Sequence, residues 1–383
     1  MRALCTCVPG YGHFHPMVPV ARALLRAGHE VAFATEERFC RRVRAAGFPA
    51  FPAGLGPGRV ARRTMALPDL AEDPWRFGAQ MFAGVAAPAK VPDLLGVVRQ
   101  WRPDVVVSDV TDFAGPVAAA SADVPHAAHS LGPLFPLELH RVGGELVAPL
   151  WHERGLPPPS LGGMFDAVYL DICPPSLQSP AIEEVRAAAR PLRPVPFDAV
   201  PGETLPDWAD DLAPWPTVYV TLGTLDNDAP EVFTAVVQGI RDEPVNVVVT
   251  VGPDGEPDQL GLQPPNVRVE RYVPQSLLLP HCDVVVAHGG SGTTLAALAH
   301  GLPLLLLPQG ANQFWNAERC ADLGVGLRLL PPEVTPGAVR HAVHALLDDP
   351  AFRERAGDVQ DEIARMPSPA DVVPLLEELA QKG

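Results

Sequence analysis

From Tyr272 to Gln313 the chain reads YVPQSLLLPHCDVVVAHGGSGTTLAALAHGLPLLLLPQGANQ. Asp283 to Ala287 is a short apolar run, the pattern of a parallel strand buried on both faces. His288 to Thr294 (HGGSGTT) follows, then Leu295 to His300 sets apolar and small residues at helical spacing until Gly301 ends the helix. Strand, Gly/Ser/Thr turn, helix is an order of elements that can hold a phosphate. Gly290 and Gly292 let the backbone approach an anion, and the first N–H groups of the helix have no partner inside it. Ser291 or Thr293 can donate a further hydrogen bond, and His288, at the hand-over from strand to turn, can add another. Taken alone the turn is equally the tight turn of any α/β sheet. No Lys follows the glycines, so this is not a P-loop. The glycine spacing is not the dinucleotide fingerprint, and no acidic residue ends the next strand at Leu304–Leu307.

Around this stretch the second half of the chain repeats the parallel pattern. Val218–Leu222, with Gly223-Thr224 at its end, then Val245–Val251, Val267–Glu270 and Gly326–Leu329 read as further strands with helices between them. Thr335–Leu347, Pro350–Arg365 and Ala370–Gln381 close the chain as helices. The first half opens as a βαβ unit: strand Ala3–Val8, loop Pro9–Pro16, helix Met17–Ala27, strand Val31–Ala34. A helix to Ala46, a short strand near Phe48–Phe51, strand Val105–Asp109, a helix from Asp112 and a strand near Pro125–His129 continue it. The stretch after Ala53, with Arg59, Arg62 and Arg63, reads as irregular until a helix resumes near Trp75. His140–Arg154 and Glu183–Arg190 read as helices, and Val168–Cys173 as the last strand of this half. A Pro-, Asp- and Trp-rich stretch without periodicity separates the halves. The expected organisation is a first domain over 1–200, a linker over 201–215 and a second domain over 216–365. The fold class is α/β, with two doubly wound parallel-sheet (Rossmann-like) domains.

The motifs together are more specific than the turn. Tyr272-Val273-Pro274-Gln275, His288 through Thr293, and Pro308 through Gln313 resemble, with every spacer in register, the donor-binding signature of family 1 nucleotide-sugar glycosyltransferases of the GT-B fold. The likeness extends over nearly the whole chain and is greatest to antibiotic-type enzymes that glycosylate polyketides and similar aglycones. It implies two domains facing a cleft, an acceptor-binding first domain, a donor-binding second domain, and a C-terminal helix, about 366–383, packing back onto the first. Gly12-His13-Phe14-His15-Pro16 matches the family's Gly–His–x–x–Pro, which makes His13 the general base. Asp109, ending the run VVVSD, matches the carboxylate that orients this base; by its position alone it is equally a helix N-cap. Asp112 is better placed to cap the following helix. The resemblance assigns donor binding to Thr224, Tyr272, Val273, His288, Gly290, Ser291, Gly292, Thr293, Asn312 and Gln313.

Two departures bear on the donor. Ala296 stands where many members have a Glu that binds the ribose hydroxyls, which favours a thymidine over a uridine diphosphate sugar. Asn312 replaces the usual Asp of the Asp–Gln pair, so the sugar preference does not carry over. The implied reaction is inverting transfer of a sugar from a TDP-sugar to a hydroxyl of a hydrophobic aglycone. A nucleotide-sugar epimerase of the same fold and a non-catalytic nucleotide-sugar binder are the alternatives. No cofactor or metal is expected. Asp226-Asn227-Asp228 spells the Asp–x–Asp of a different glycosyltransferase fold but sits in a loop before Pro230 that reads as helix-start chemistry. His13 and His15 lack an adjacent carboxylate in sequence to complete a ligand set.

The 383 residues carry 29 Lys and Arg against 45 Asp and Glu, a formal charge of −16, which argues against nucleic acid or an anionic membrane as partner. Lysine occurs only at Lys90 and Lys382, a bias expected of a GC-rich genome. The 46 prolines are scattered among periodic segments rather than clustered. The six cysteines form no Cys–x–x–Cys pair and mostly sit in apolar segments. With no apolar run of membrane-spanning length and a short N-terminal apolar stretch, neither a membrane span nor a signal peptide is expected. Small-molecule donor and acceptor are the expected partners, the location is cytoplasmic, and the sequence leaves room for a homodimer.

Overall fold

The computed structural model describes residues 1–67, 74–197, 203–223, 230–252 and 255–382. Thr224 and Asp226-Asn227-Asp228 lie outside the described residues. The chain divides into two compact units. The first comprises Met1–Cys173, Gln178–Arg193 and Met366–Gly383; the second comprises Pro174–Leu177 and Pro194–Arg365.

The first unit is built on seven strands: β1 Arg2–Thr6, β2 Glu30–Thr35, β3 Ala50–Pro52, β4 Val105–Asp109, β5 His126–His129, β6 Val168–Asp171 and β7 Ala189–Pro191. They lie in the order β3-β2-β1-β4-β5-β6-β7, every pair parallel. β4 is buried along its whole length and β1 over its last four residues, as expected of strands covered by helices on both faces. The second unit has six: β8 Thr217–Thr221, β9 Asn246–Thr250, β10 Val267–Glu270, β11 Val284–Ala287, β12 Leu304–Leu306 and β13 Gly326–Arg328. Their order is β10-β9-β8-β11-β12-β13, again all parallel. In each unit the strand order therefore reverses between the first and fourth strands, β1/β4 and β8/β11. At such a switch point the loops leave the carboxyl ends in opposite directions and open a crevice for a ligand.

Three segments differ from the sequence reading. Ala189–Pro191 is a seventh strand, paired with β6 through Tyr169 and Ala189, so Val168–Cys173 is not the last; in place of the expected 183–190 helix there is a single turn, Ile182–Val185. A free sheet edge overrides the helical preference of the Ala-rich run. Pro57–Met65, read as irregular, is a helix: Pro57 is its first residue, Val60 and Thr64 are buried one turn apart, and Arg59, Arg62 and Arg63 face out. Of the stretch 201–215, read as a linker, the described residues from Glu203 on fall in the second unit, where the Trp208 indole N–H donates to Glu270 at 2.8 Å.

The C-terminal helix Val373–Ala380 belongs to the first unit, where His29 Nε2 lies 2.8 Å from Glu377. One helical run, Trp75–Trp101, is long and apolar enough to cross a membrane by length and composition, which the sequence reading did not expect. Its residues Ala79, Ala83, Ala87, Val91 and Leu94 are buried in the first unit's core and Lys90 is ion-paired there, so it passes that test as a core helix. None of the six cysteines forms a disulfide and all are buried; burial pushes the Cys5, Cys282 and Cys320 thiols up to about 12, far from reactive thiolates.

Candidate active site

The first crevice is organised by Asp109. β4 delivers it wholly buried at the strand end. Its Oδ2 accepts the Val8 backbone N–H at 2.7 Å, and its Oδ1 accepts the Thr111 N–H at 2.8 Å and the Thr111 hydroxyl at 2.5 Å. His13 lies in a helical turn, Tyr11–Phe14, just beyond β1, with Nδ1 3.3 Å from Asp109 Oδ1 and 3.2 Å from Thr111 Oγ1. Burial pushes the Asp109 carboxyl up, but His13, the Thr111 hydroxyl and the Val8 N–H outweigh it, so its pKa falls below the ordinary value. An ionised carboxylate only accepts hydrogen bonds, so the network assigns the His13 proton to Nδ1 and leaves the lone pair on Nε2. The His13 side chain keeps 16% of its surface exposed. The Phe82 ring stands edge-on to the imidazole at 6.0 Å.

Asp112 is not the helix cap that its position suggested. The next helix, Ala114–Ser121, has Phe113 at its N-cap and no side-chain cap. Asp112 turns inward, 3% exposed, accepts the Thr6 hydroxyl at 2.7 Å and pairs with the Lys90 ammonium at 2.5 Å. Thr111 is the participant that sequence reasoning missed; the Asp–x–Thr spacing at 109–111, which permits a turn closed by the Asp side chain, was its signal. His15 packs against Tyr11 and Phe14, and burial lowers its pKa to about 4.

The second crevice is formed by the turn between β11 and the helix Ser291–Ala299. Gly289 adopts φ +88°, and a side chain there would strike the Gln313 carbonyl. Gly290 is the N-cap, so no side chain occupies the space in front of the helix, and no acidic residue stands in the first turn. The Ser291, Gly292 and Thr293 N–H groups start the helix without an intrahelical carbonyl. His288 lies against Gly223 and Gly290: a Cβ on Gly223, at φ +82°, would sit 2.6 Å from its ring, and one on Gly290 closer still. Burial lowers the His288 pKa to about 4, so the imidazole is neutral at pH 7. Its buried Nδ1 has no partner among the described residues.

Polar side chains brace this turn. Ser291 Oγ accepts the Asn312 amide at 3.0 Å and the Asn316 amide at 3.1 Å, which leaves its own proton to donate outward. Thr293 Oγ1 accepts from Gln275 at 3.2 Å, tying the Pro274-Gln275 motif to the turn. Gln313, 7% exposed, accepts the Gln309 and Gly310 N–H groups at 2.8 and 3.1 Å, so its side-chain carbonyl shapes the loop rather than facing a ligand. Asn316, 1% exposed, also donates to the Gly289 carbonyl at 2.8 Å. It was not singled out in the sequence because one buried Asn inside a helix carries no motif. Tyr272 is exposed at 43% while Val273 is buried at 1%, so of the two it is the Tyr272 ring that faces outward. Among the described residues no three His, Cys, Asp or Glu side chains converge as a metal-ligand set.

Two doubly wound parallel-sheet α/β domains, with an imidazole–carboxylate pair at one switch point and a glycine-rich strand-to-helix turn at the other, are the architecture of the class known as GT-B glycosyltransferases. The chain belongs to the family described as erythromycin biosynthesis protein CIII-like: the N-terminal domain of that family matches residues 72–223 and the C-terminal domain residues 235–379. It is 35% identical over 381 residues to L-demethylnoviosyl transferase of Streptomyces niveus, covering 97% of this chain and 96% of the relative. It is similar to the solved structure of the glycosyltransferase SnogD from Streptomyces nogalater at 31% identity and a TM-score of 0.79, covering 99% of both chains. Spinosyn rhamnosyltransferase SpnG, complexed with thymidine diphosphate, is similar at 28% identity and a TM-score of 0.83, covering 98% of this chain and 100% of that one. The chain is thus a family 1 glycosyltransferase of the natural-product type.

Proposed function

We propose that the enzyme transfers a sugar from a thymidine diphosphate donor to a hydroxyl of a hydrophobic aglycone such as a polyketide, with inversion at the anomeric carbon. The observation that carries this reading is the His13–Asp109 pair: the proton on Nδ1 is committed to a buried, ionised carboxylate, so Nε2 is the atom that accepts the acceptor hydroxyl's proton. As that proton moves, the hydroxyl oxygen attacks the anomeric carbon and the diphosphate leaves from the opposite face. Asp109 stabilises the imidazolium that results. General-base assistance of this kind contributes roughly 10²–10⁴-fold.

The leaving diphosphate is met by the helix N–H groups, the outward Ser291 hydroxyl and the His288 imidazole. A helix terminus supplies only about 0.3–1 kcal/mol when exposed and up to about 2 when partly buried, so the direct hydrogen bonds contribute the larger share. The unpartnered Nδ1 of His288 supports a ligand hydrogen bond at that ring. Because these donors are neutral and preformed, the reading requires no metal. Thymidine is supported by Ala296, which offers no carboxylate to a ribose 2′-hydroxyl, and by the thymidine diphosphate in the similar spinosyn enzyme.

The test is a mass-spectrometric screen of TDP- and UDP-sugars with and without aglycone mixtures, followed by NMR of the product linkage. Transfer that needs both substrates, with inverted configuration, is the expected result. Turnover of the donor alone to an epimer, binding without turnover, or a retained configuration would each overturn the proposal.

A further inference from the structure

Three consecutive residues at the end of β1 are each held by a different buried charged side chain. The Thr6 hydroxyl donates to Asp112 at 2.7 Å, the Cys7 carbonyl accepts from the Lys90 ammonium at 2.8 Å, and the Val8 N–H donates to Asp109 at 2.7 Å. Lys90 is 5% exposed and its Nζ also pairs with Asp112 at 2.5 Å. Its stem runs under Gly54, where a Cβ would lie 3.1 Å from that of Lys90. The His13 turn begins three residues after Val8, at Tyr11. Lys90 and Phe82 sit on the same helical run, joined through the π-helical stretch Gln80–Ala86, and it is Phe82 that abuts the His13 ring.

We propose that Lys90 is a positioning residue for His13: its ammonium fastens the β1 end, from which the His13 turn departs, to the helix that presents Phe82. By neutralising Asp112 it also leaves Asp109 as the carboxylate that answers to His13. All three charges act at one point in the fold. Burial pushes the Cys7 thiol up, Lys90 opposes that shift, and Asp109 and Asp112 add to it. The choice of residue supports the assignment. Twenty-nine cationic side chains are present, and apart from Lys90 and Lys382 all are arginine, yet this enclosed position holds the compact point charge and not the broad planar fork. Even with its geometry satisfied, a buried ion pair is weak evidence for stability, since well-packed apolar residues of similar volume often serve the fold equally well. It is better explained by the specific placement it enforces. Phe82 itself lies in the π-helical stretch Gln80–Ala86, a local widening of a kind frequent at functional sites.

The inference rests on His13 being the base, and the experiment separates the two. In full-length protein, Lys90→Met combined with Asp112→Asn replaces the buried ion pair by neutral groups of similar size, a change that typically preserves folding. With TDP-glucose and the aglycone selected by the screen above, kcat should fall about tenfold or more while both KM values stay within about twofold, because a misplaced base slows chemistry and not binding. The same pair of changes made on His13→Ala should cost nothing further, since the base it positions is gone. A double variant with kcat within about twofold of wild type, or a loss confined to KM, would overturn the role of Lys90. If His13→Ala itself retains wild-type turnover, the base assignment is what fails.

Discussion

In the first unit the crevice between β1 and β4 is walled by charged side chains, Asp109, Asp112 and Lys90, with His13 leaning on one of them. In the second unit the equivalent crevice, between β8 and β11, is walled by neutral ones: His288, Ser291, Thr293, Asn312 and Asn316. The same strand order thus supports opposite electrostatics. A proton acceptor must be biased by a fixed charge that stabilises its protonated form. An anion that arrives, gains charge during reaction and then has to leave is served by oriented hydrogen-bond donors that carry no full charge. The lesson is that the shared topology only supplies the crevice; the residues at the carboxyl ends of two strands decide what it does.

The sharpest way to break the comparison is at the base. His13→Ala should lower turnover by about two to four orders of magnitude while thymidine diphosphate affinity, read by calorimetry, is unchanged. A matching loss of affinity would mean that the first crevice also holds the donor. Asp109→Asn is expected to cost less, on the order of ten- to a hundredfold in kcat, because the ring is misoriented and its imidazolium less stabilised but the base remains. Wild-type turnover in that variant would remove the carboxylate from the account.

The neutral crevice is sharpened through the nucleoside. On the proposed donor reading, a uridine donor would bury a 2′-hydroxyl that Ala296 cannot answer, at a cost of roughly 1–3 kcal/mol. Thymidine diphosphate should therefore bind about tenfold more tightly than uridine diphosphate, at about 1.4 kcal/mol per decade. Ala296→Glu should narrow that gap. Equal affinities in the wild type would show that other residues read the ribose.

The units should also differ in acid. In the first, burial lowers the pKa of His15, His129 and His140 to about 4 and of His126 to about 3; in the second, His288 falls to about 4 and His300 shifts the same way. A histidine whose folded pKa lies below its unfolded value near 6.5 binds its proton first in the unfolded state. Its contribution to stability is complete above about pH 6.5 and is lost as pH falls toward about 4, at up to about 1.4 kcal/mol per pH unit for each group. Asp171, raised to about 6 chiefly by burial, works the other way in the first unit and offsets one histidine. Hydrogen exchange of strand amides, corrected for intrinsic rate, should show β4 and β5 losing protection more steeply than β11 and β12 between pH 6.5 and 5. Parallel loss in both sheets would contradict the assignment of these rings as neutral and buried. The smallest expected effect is that of EDTA, which should leave turnover unchanged; complete loss restored by Mg²⁺ or Mn²⁺ would return attention to Asp226 and Asp228.

Much of this was legible beforehand where one local pattern carries the information. β10 and the helix Pro350–Arg365 have the bounds that the sequence suggested, and β4 ends on Asp109 as read. β4 is an apolar run, β10 an apolar/charged alternation and the helix an amphipathic stripe, patterns that their neighbours do not alter. The helix Pro57–Met65 and the edge strand β7 were not legible. A single buried pair one turn apart is too little periodicity to see, and an edge strand of three residues forms only because β6 offers it free backbone groups.

By itself the sequence determined the two doubly wound halves, the glycine turn after β11, and the presence of His13 and Asp109 at strand ends, because each is written in contiguous residues. The resemblance already pointed to Asp109 as the partner of His13; only the tertiary structure decided which nitrogen of that ring carries the proton and that Asp112 pairs with Lys90 in place of capping a helix. The same holds for the discovery that Asn312 and Gln313 brace the second crevice and that Lys90 reaches the end of β1. Asp109 and Asp112 are three residues apart and chemically alike. Their separation into a partner for His13 and a partner for Lys90 comes from groups 96 and 22 residues away along the chain, respectively, which local propensity cannot encode. Buried hydrogen bonds between distant elements are fixed by packing, and the low dielectric there strengthens the bonds each carboxylate makes to the groups within reach.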